Sequence, residues 1–403
     1  MTPHSTERGA LSPSLDAIRW IAALTVMVAH LDARLIKPET VFSMQAPADH
    51  LSLLGHYGWI FFVGFAHKAV MVFFVMSGWL VGGKVLKQVL EHGELDLGRY
   101  YLDRLSRLWI VLLPALALTY LLDDMGSAMA AGQEIYVSFE PNRTPAALAC
   151  NAFFLQMVRC HELGSNVALW SLANEFWYYV LWPLLLAPLA KRWSPGRRWT
   201  LFSLGCALAA LLAFQRYGDY QVLPYFAIWA VGAAARLLSA PLVKSPLHAL
   251  VVLAAVLFAA RIGDGTQLVS ITGWFLVTDL CVALSLANLL VSLAHWNGAV
   301  PRVLELPMNR FLADRSYSLY AVHVPIIMIV CALLQSRFGL GWQMSRFEST
   351  TWLLLPCIAI FTWLCTALFA QVTEMRTAAI KRWLTSIIPR PRLPAATDPD
   401  TRA

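Results

Sequence analysis

An arginine and a histidine, Arg19 and His30, stand eleven positions apart inside the first long apolar stretch, Ser14 to Asp32. A helix turns about 100° per residue, so eleven steps return the two side chains to within roughly 20° of each other on one face. At about 1.5 Å per residue they lie ~16 Å apart along that face, roughly half of a ~30 Å hydrocarbon core. Asp16 falls on nearly the same stripe. Ionisable groups are costly in a membrane, so three on one face suggest an internal polar path. Imidazole titrates near physiological pH, which fits His30 for a proton-accepting role. The plainer alternative is one helix with Arg19 snorkelling at one end and His30 at the opposite interface.

Four further stretches carry polar groups where lipid should exclude them. Phe73-FVMSGWLVGG-Lys84 places Ser77, Gly78 and a Gly82-Gly83 pair near a helix end, and small residues there permit close helix packing. Tyr101-LDRLSRLW carries Arg104 and Arg107 at the opening of a span. They are either ordinary anchoring charges or, sharing a helix face, a phosphate clamp. Trp170-SLANEFWYYVLWP holds Glu175 among aromatics. A buried carboxylate needs a partner, and His30 and Arg19 are the candidates. Ser316-YSLYAVHVP brings Tyr317, Tyr320 and His323 to one face. Asp279 and Asn288, inside another span, read as polar contacts between helices.

The elements that must position these residues are membrane helices. The chain of 403 residues is 58% hydrophobic and only 14% charged, with a mean hydropathy of +0.59, against roughly a quarter charged for soluble domains. Apolar stretches recur from end to end, which predicts an all-α, polytopic integral membrane bundle. Ten spans are expected, at about 14–33, 65–83, 107–123, 168–190, 199–215, 223–239, 247–261, 269–294, 316–336 and 351–373. Segment 144–158 is moderately apolar but short, and is expected to be re-entrant or interfacial. The domain plan is an N-terminal tail at 1–13, a membrane domain at 14–375 and a C-terminal tail at 376–403. The first span carries Asp16 and Arg19 and lacks a small-residue cleavage site, so it reads as a retained helix rather than a signal peptide.

With the N-terminus inside, 21 basic residues fall on the cytoplasmic side and 8 on the other. That asymmetry predicts that both termini are cytoplasmic. The net charge of +7 is on this reading a matter of topology rather than of a nucleic-acid partner. The seven cysteines show no CxxC and no metal-ligand spacing, so no metal site is expected. Cys150 and Cys160 could flank a non-cytoplasmic loop and pair.

Taken together these motifs resemble the membrane-bound acyltransferase 3 family. Its Arg/Lys and His separated by ten residues in the first helix are matched by Leu15-DAIRWIAALTVMVAH, and its FFVLSGFL-like stretch by Phe73-FVMSGWL. Its RxxR pair is matched by Arg104 and Arg107, its WSLxxE…WP stretch by Trp170-SLANEFWYYVLWP, and its SYSLYLWHxP stretch by Ser316-YSLYAVHVP. The five motifs come in the family's order, and ten helices match its core. Two departures bear on acceptor preference. Phe176 follows Glu175 where the family often has a second acid, and Val322 replaces the Trp before the second histidine. Many relatives carry a C-terminal soluble hydrolase-like domain, for which this chain is expected to have no room.

The resemblance implies transfer of an acyl group, most often acetyl, from cytoplasmic acyl-coenzyme A to a hydroxyl of an envelope glycan or its lipid-linked precursor. The expected site has His30 as general base, oriented by Glu175, with Arg19, Arg104 and Arg107 holding the donor. Asp16, Ser77, Trp170, Ser171, Tyr317 and His323 are the candidate substrate-binding residues. The expected location is the bacterial inner membrane, with lipid as surroundings. The competing readings are a proton-coupled transporter or flippase, for which the paired broken helices of two matching halves are not evident, and acylation of a non-glycan acceptor.

Overall fold

The computed structural model describes residues 10–37, 50–214, 221–264 and 273–387. Residues 1–9 and 388–403 of the two expected tails, Arg216 and the start of the span at 269–294 lie outside the described residues. What is described is helical almost throughout and contains no strand. Seven helical stretches are long and apolar enough to cross a membrane. They contain α1 (Leu11–Leu35), α3 (Ala66–Ser77) with α4 (Gly83–His92), α5 (Leu97–Met129), α10 (Pro246–Asp264), α11 (Trp274–Ala294), α13 (Ser316–Phe338) and α14 (Ser349–Val372). These seven match seven of the ten expected spans.

The other three expected spans are helices below that threshold, so the count of ten is not established. They are α7 (Trp170–Leu185), α8 (Pro195–Ala213) and α9 (Val222–Ala235). The sixteen residues of α7 and fourteen of α9 rise only ~24 Å and ~21 Å, short of a ~30 Å core. The segment at 144–158 holds only α6 (Pro145–Ala152), eight residues or ~12 Å, too short to span. It is followed by turns closed by a Cys150–Cys160 disulfide. Short helices α2 (His50–Val63), α12 (Pro307–Ala313) and α15 (Thr377–Ile387) complete the order.

α13 is the central helix: fourteen of its residues are buried, and it packs on α1, α5 and α14. The helices farther out show apolar side chains to the surroundings, such as Leu211 on α8, Val251 on α10 and Leu368 on α14, as lipid-facing surfaces do.

Two motif prolines sit inside helices, and each frees a carbonyl that another element then uses. Proline has no N–H, so it cannot bond the carbonyl four residues before it. Pro325 in α13 thus leaves the Ala321 carbonyl, which accepts from Asn166 Nδ2 at 2.9 Å. Pro183 in α7 leaves the Tyr179 carbonyl, which accepts from the Tyr100 hydroxyl at 3.1 Å. Inside a membrane such groups must be satisfied by protein, so both prolines tie neighbouring segments to the site helices.

Between α3 and α4 the chain widens into one turn of π-helix at Gly78–Gly82. Here α3 meets α9 backbone to backbone. A Cβ on Gly78 would run into the Trp229 carbonyl, and one on Gly232 into the Val75 carbonyl. The packing role of these glycines is therefore real, and their close approach aims Ser77 inward.

Candidate active site

His30 and His323 meet across 293 residues. Nδ1 of His30 lies 2.8 Å from Nε2 of His323, and Nδ1 of His323 lies 2.9 Å from the carbonyls of Leu319 and Tyr320. Carbonyl oxygens only accept, so His323 Nδ1 carries the proton. In the neutral ring its Nε2 is then an acceptor, and His30 Nδ1–H donates to it. This leaves Nε2 of a neutral His30 with its lone pair, the form a general base requires. α1 and α13 supply one histidine each; the Leu319 and Tyr320 carbonyls fix the tautomer of His323, and the His30 ring is held both by His323 and by the Val26 carbonyl of its own helix.

The expected orienter was Glu175, and the geometry corrects that. Among the described residues the side chain bonded to His30 is His323. Glu175 Oε1 instead accepts from Ser77 Oγ at 2.6 Å and from the Tyr179 hydroxyl. Ser77 Oγ in turn accepts from Trp229 Nε1 at 3.1 Å. Sequence spacing places residues on one helix face but is silent on which neighbouring helix that face meets, and α7 turns Glu175 towards α3 rather than α1.

Glu175 and Ser77 line a partly open cavity of about 170 Å³ together with Arg19, Arg104, Arg107, Ser171, Tyr317 and Tyr320. A wider cleft of about 530 Å³ shares Arg19, Arg104, Arg107 and Tyr317, and adds Asp314, Glu374 and Lys381. The three arginines thus line both the cleft and the chamber within it, and Arg107 is exposed. Rather than opening a helix, Arg104 and Arg107 lie about two and three turns inside α5, which starts at Leu97 and is capped by Asp96 accepting from the Arg99 N–H at 3.0 Å. At its inner end the chamber is lined by Tyr320. The Tyr320 hydroxyl is 2.6 Å from Ser171 Oγ, and its ring packs edge-on against His323 with centroids 5.9 Å apart. The histidine pair therefore stands one side chain beyond the chamber.

Two candidate residues lie apart from this lining. Trp170 is buried, packed against Phe74 and Tyr225 at centroid distances of 5.9 and 6.0 Å. Asp16 is half-buried near Arg19, on which it acts electrostatically. Tyr317 lines both spaces, and its hydroxyl donates to the Leu108 carbonyl at 3.4 Å. Asp279 and Asn288 bridge segments away from the site. Asp279 pairs with Lys68 at 2.7 Å, and Asn288 Oδ1 accepts from the Leu242 and Val243 N–H groups.

Some residues of the site carry no signal readable in the sequence. Glu374 follows the last span, where an acid is unremarkable, yet it accepts from the Ser318 N–H and Oγ at 2.9 Å and lines the cleft. Lys381 of α15 pairs with Asp103 of α5 and closes one edge of the same cleft. Asn166 anchors α13 just before His323.

The Acyltransferase domain profile of acyltransferase 3 matches residues 12–371. The chain belongs to the acyltransferase 3 family. All the residues of the chamber lie inside the matched region, and Glu374 and Lys381 of the cleft lie just beyond it. Among curated relatives, a protein named "Putative O-acetyltransferase" in Staphylococcus aureus strain COL is 24% identical over 346 residues, covering 79% of this chain and 51% of its own. The protein of the same name in strain MSSA476 matches to the same extent. An "Uncharacterized protein" of Haemophilus influenzae is 28% identical over 129 residues, 30% of this chain and 49% of its own. The chain thus spans about half the length of the curated relatives it matches. No solved structure matches it.

Proposed function

We propose that this integral membrane protein transfers an acyl group, most simply acetyl, from acyl-coenzyme A to a hydroxyl of an envelope glycan or its lipid-linked precursor. The observation that carries the reading is the contact of His30 with His323, whose bonds to backbone carbonyls favour a neutral His30 with one nitrogen free to accept a proton, one side chain beyond an arginine-lined chamber. Family membership supports acyl transfer, and the names of the staphylococcal relatives support an O-linked acetyl product.

In this mechanism Arg104, Arg107 and Arg19 hold the phosphates of the donor in the cleft, as guanidinium forks match phosphate oxygens. The pantetheine arm runs along α1 from Arg19 towards His30, a span of ~16 Å, so the coenzyme stays on the cytoplasmic side. Nε2 of His30 takes the proton of the acceptor hydroxyl as its oxygen bonds to the thioester carbonyl carbon. The carbon–sulfur bond then breaks, the ester departs, and the coenzyme thiolate recovers the proton from His30. His323 holds the His30 ring in the reactive tautomer, which is the orienting part first assigned to Glu175. Glu175 serves as counter-charge to the arginines in the chamber.

The test is genetic and chemical. Envelope glycans from the native host should contain alkali-labile O-acyl groups, detected by NMR before and after mild base. A strain carrying His30→Ala in place of the intact protein should lose one such group. An unchanged ester inventory, with the variant inserted at normal level, would contradict the glycan reading.

A further inference from the structure

Arg34 lies four residues beyond His30 on α1, one turn further from Arg19 and on the same face, ~6 Å along the axis. Its guanidinium stacks over the ring of Phe139 at 5.1 Å. Its Nε is buried with no hydrogen-bond partner, and among the described residues no carboxylate pairs with it. That is unlike other buried or half-buried cations of the bundle. Arg346 pairs with Asp32, whose other oxygen accepts from Trp59 Nε1 at 2.7 Å. Lys68 has Asp264 and Asp279, and Arg143 donates to the Asp123 carbonyl at 2.8 Å. The oxygens of Asp123 are taken by the Ser165 N–H and hydroxyl. The acids named here, among the described residues, are thus committed elsewhere.

A second donor lacks a partner in the same neighbourhood. Tyr136, three residues before Phe139, is 3% exposed, and its hydroxyl makes no hydrogen bond among the described residues. Arg34 and Tyr136 both lie close to Cys331 of α13. The backbone of Arg34 is held in place: its carbonyl accepts from the Gln343 N–H at 3.2 Å, and the Met344 N–H donates to Leu35 at 2.7 Å. A half-buried cation on a fixed frame, with no counter-ion among the described residues, is arranged for an anion that arrives.

We infer that Arg34, backed by Phe139, binds an oxyanion carried by the acceptor, a phosphate or a carboxylate, and so places the neighbouring hydroxyl at His30. The inference rests on the acyl-transfer reading for its acceptor but not for its anion. The offset of one helical turn, ~6 Å, is about the width of one sugar ring. The acceptor is then an acidic sugar or a sugar phosphate, acylated within one ring of its charge.

The experiment separates the anion site from the transfer reaction. Binding of phenylphosphonate to the purified full chain is measured with the donor site filled by coenzyme A, and again in an Arg104→Gln/Arg107→Gln protein. Saturable binding should persist in both and weaken at least tenfold on Arg34→Gln, while Arg34→Lys, with its charge kept, loses less. Thermal unfolding checks that each variant is folded. Binding that is absent, or unchanged in folded Arg34→Gln, overturns the site. In inside-out vesicles, phenylphosphonate sealed in the lumen should compete with the acceptor for label from acetyl-coenzyme A, and should do so at least tenfold less well in Arg34→Gln. Arginine-dependent binding without such competition would assign the site to a lipid headgroup and overturn the acceptor assignment. No label transfer at all, with the binding result intact, would defeat the acyl-transfer reading alone.

Discussion

The tautomer of His30 is the finest detail on which the account depends, and it is set by backbone carbonyls of α13 rather than by a carboxylate. Removing the acceptor nitrogen with His323→Ala should lower kcat about 10- to 100-fold and leave the KM for the donor unchanged, the sign of a residue that orients a base. Steady-state kinetics with varied acetyl-coenzyme A would check this, and a raised donor KM would argue against it. Arg104→Gln with Arg107→Gln should act in the opposite sense. Charge-assisted bonds are worth about 1.5–3 kcal/mol each, so the donor KM should rise at least tenfold with kcat less affected. At this scale the sequence was half legible. The Arg19–His30 spacing is a property of one helix and follows from its period. The contact with His323 joins α1 to α13, and periodicity within a helix carries no information about its partner. For the same reason Glu175 was assigned to the wrong neighbour: it was the buried acid that needed a partner, and Ser77 and Tyr179 met that need.

Helices bring these residues together through two kinds of contact that make testable demands. One is the approach of α3 to α9, where Gly78 and Gly232 leave no room for a side chain. Gly232→Leu should separate the helices, shift Ser77 away from Glu175 and reduce the folded yield in detergent, as size-exclusion profiles would show. The other is the buried cluster at the start of α3. Lys68, 2% exposed, donates to Asp279 and Thr278 at 2.7 Å and pairs with Asp264 at 3.0 Å, while His67 reaches Asp279 at 2.7 Å. This pins the α10–α11 hairpin to α3. Removing one partner of a buried pair costs about 3–5 kcal/mol, so Lys68→Met should lower the thermal midpoint by several degrees even though it lies away from the chamber. An unchanged midpoint would mean that the cluster adds nothing to stability. Lys68 was visible in the sequence only as a charge inside a span. Its two acids lie about 200 residues on, beyond the reach of any local pattern.

Across the whole molecule, the bundle and its class were plain from hydropathy, and the number of crossings was not. Seven spans announce themselves by length and apolar composition, while α7 and α9, at sixteen and fourteen residues, are too short to do so. The Cys150–Cys160 disulfide bears on orientation, since disulfides persist on the oxidising side of a membrane. Its loop falls on the side expected to be non-cytoplasmic from the distribution of basic residues. Cysteines introduced at Lys191 or Arg198 should therefore react with an impermeant reagent only from the cytoplasmic side, and one at Arg159 only from the other. The reverse pattern would invert the path from donor to acceptor. The most direct test of the central claim is coenzyme A release from acetyl-coenzyme A in inside-out vesicles of the native host, containing either the intact protein or His30→Ala. The account predicts release with the intact protein and a fall of about 100- to 10,000-fold in the variant, the range for loss of a general base. Equal release from folded, inserted His30→Ala would contradict it.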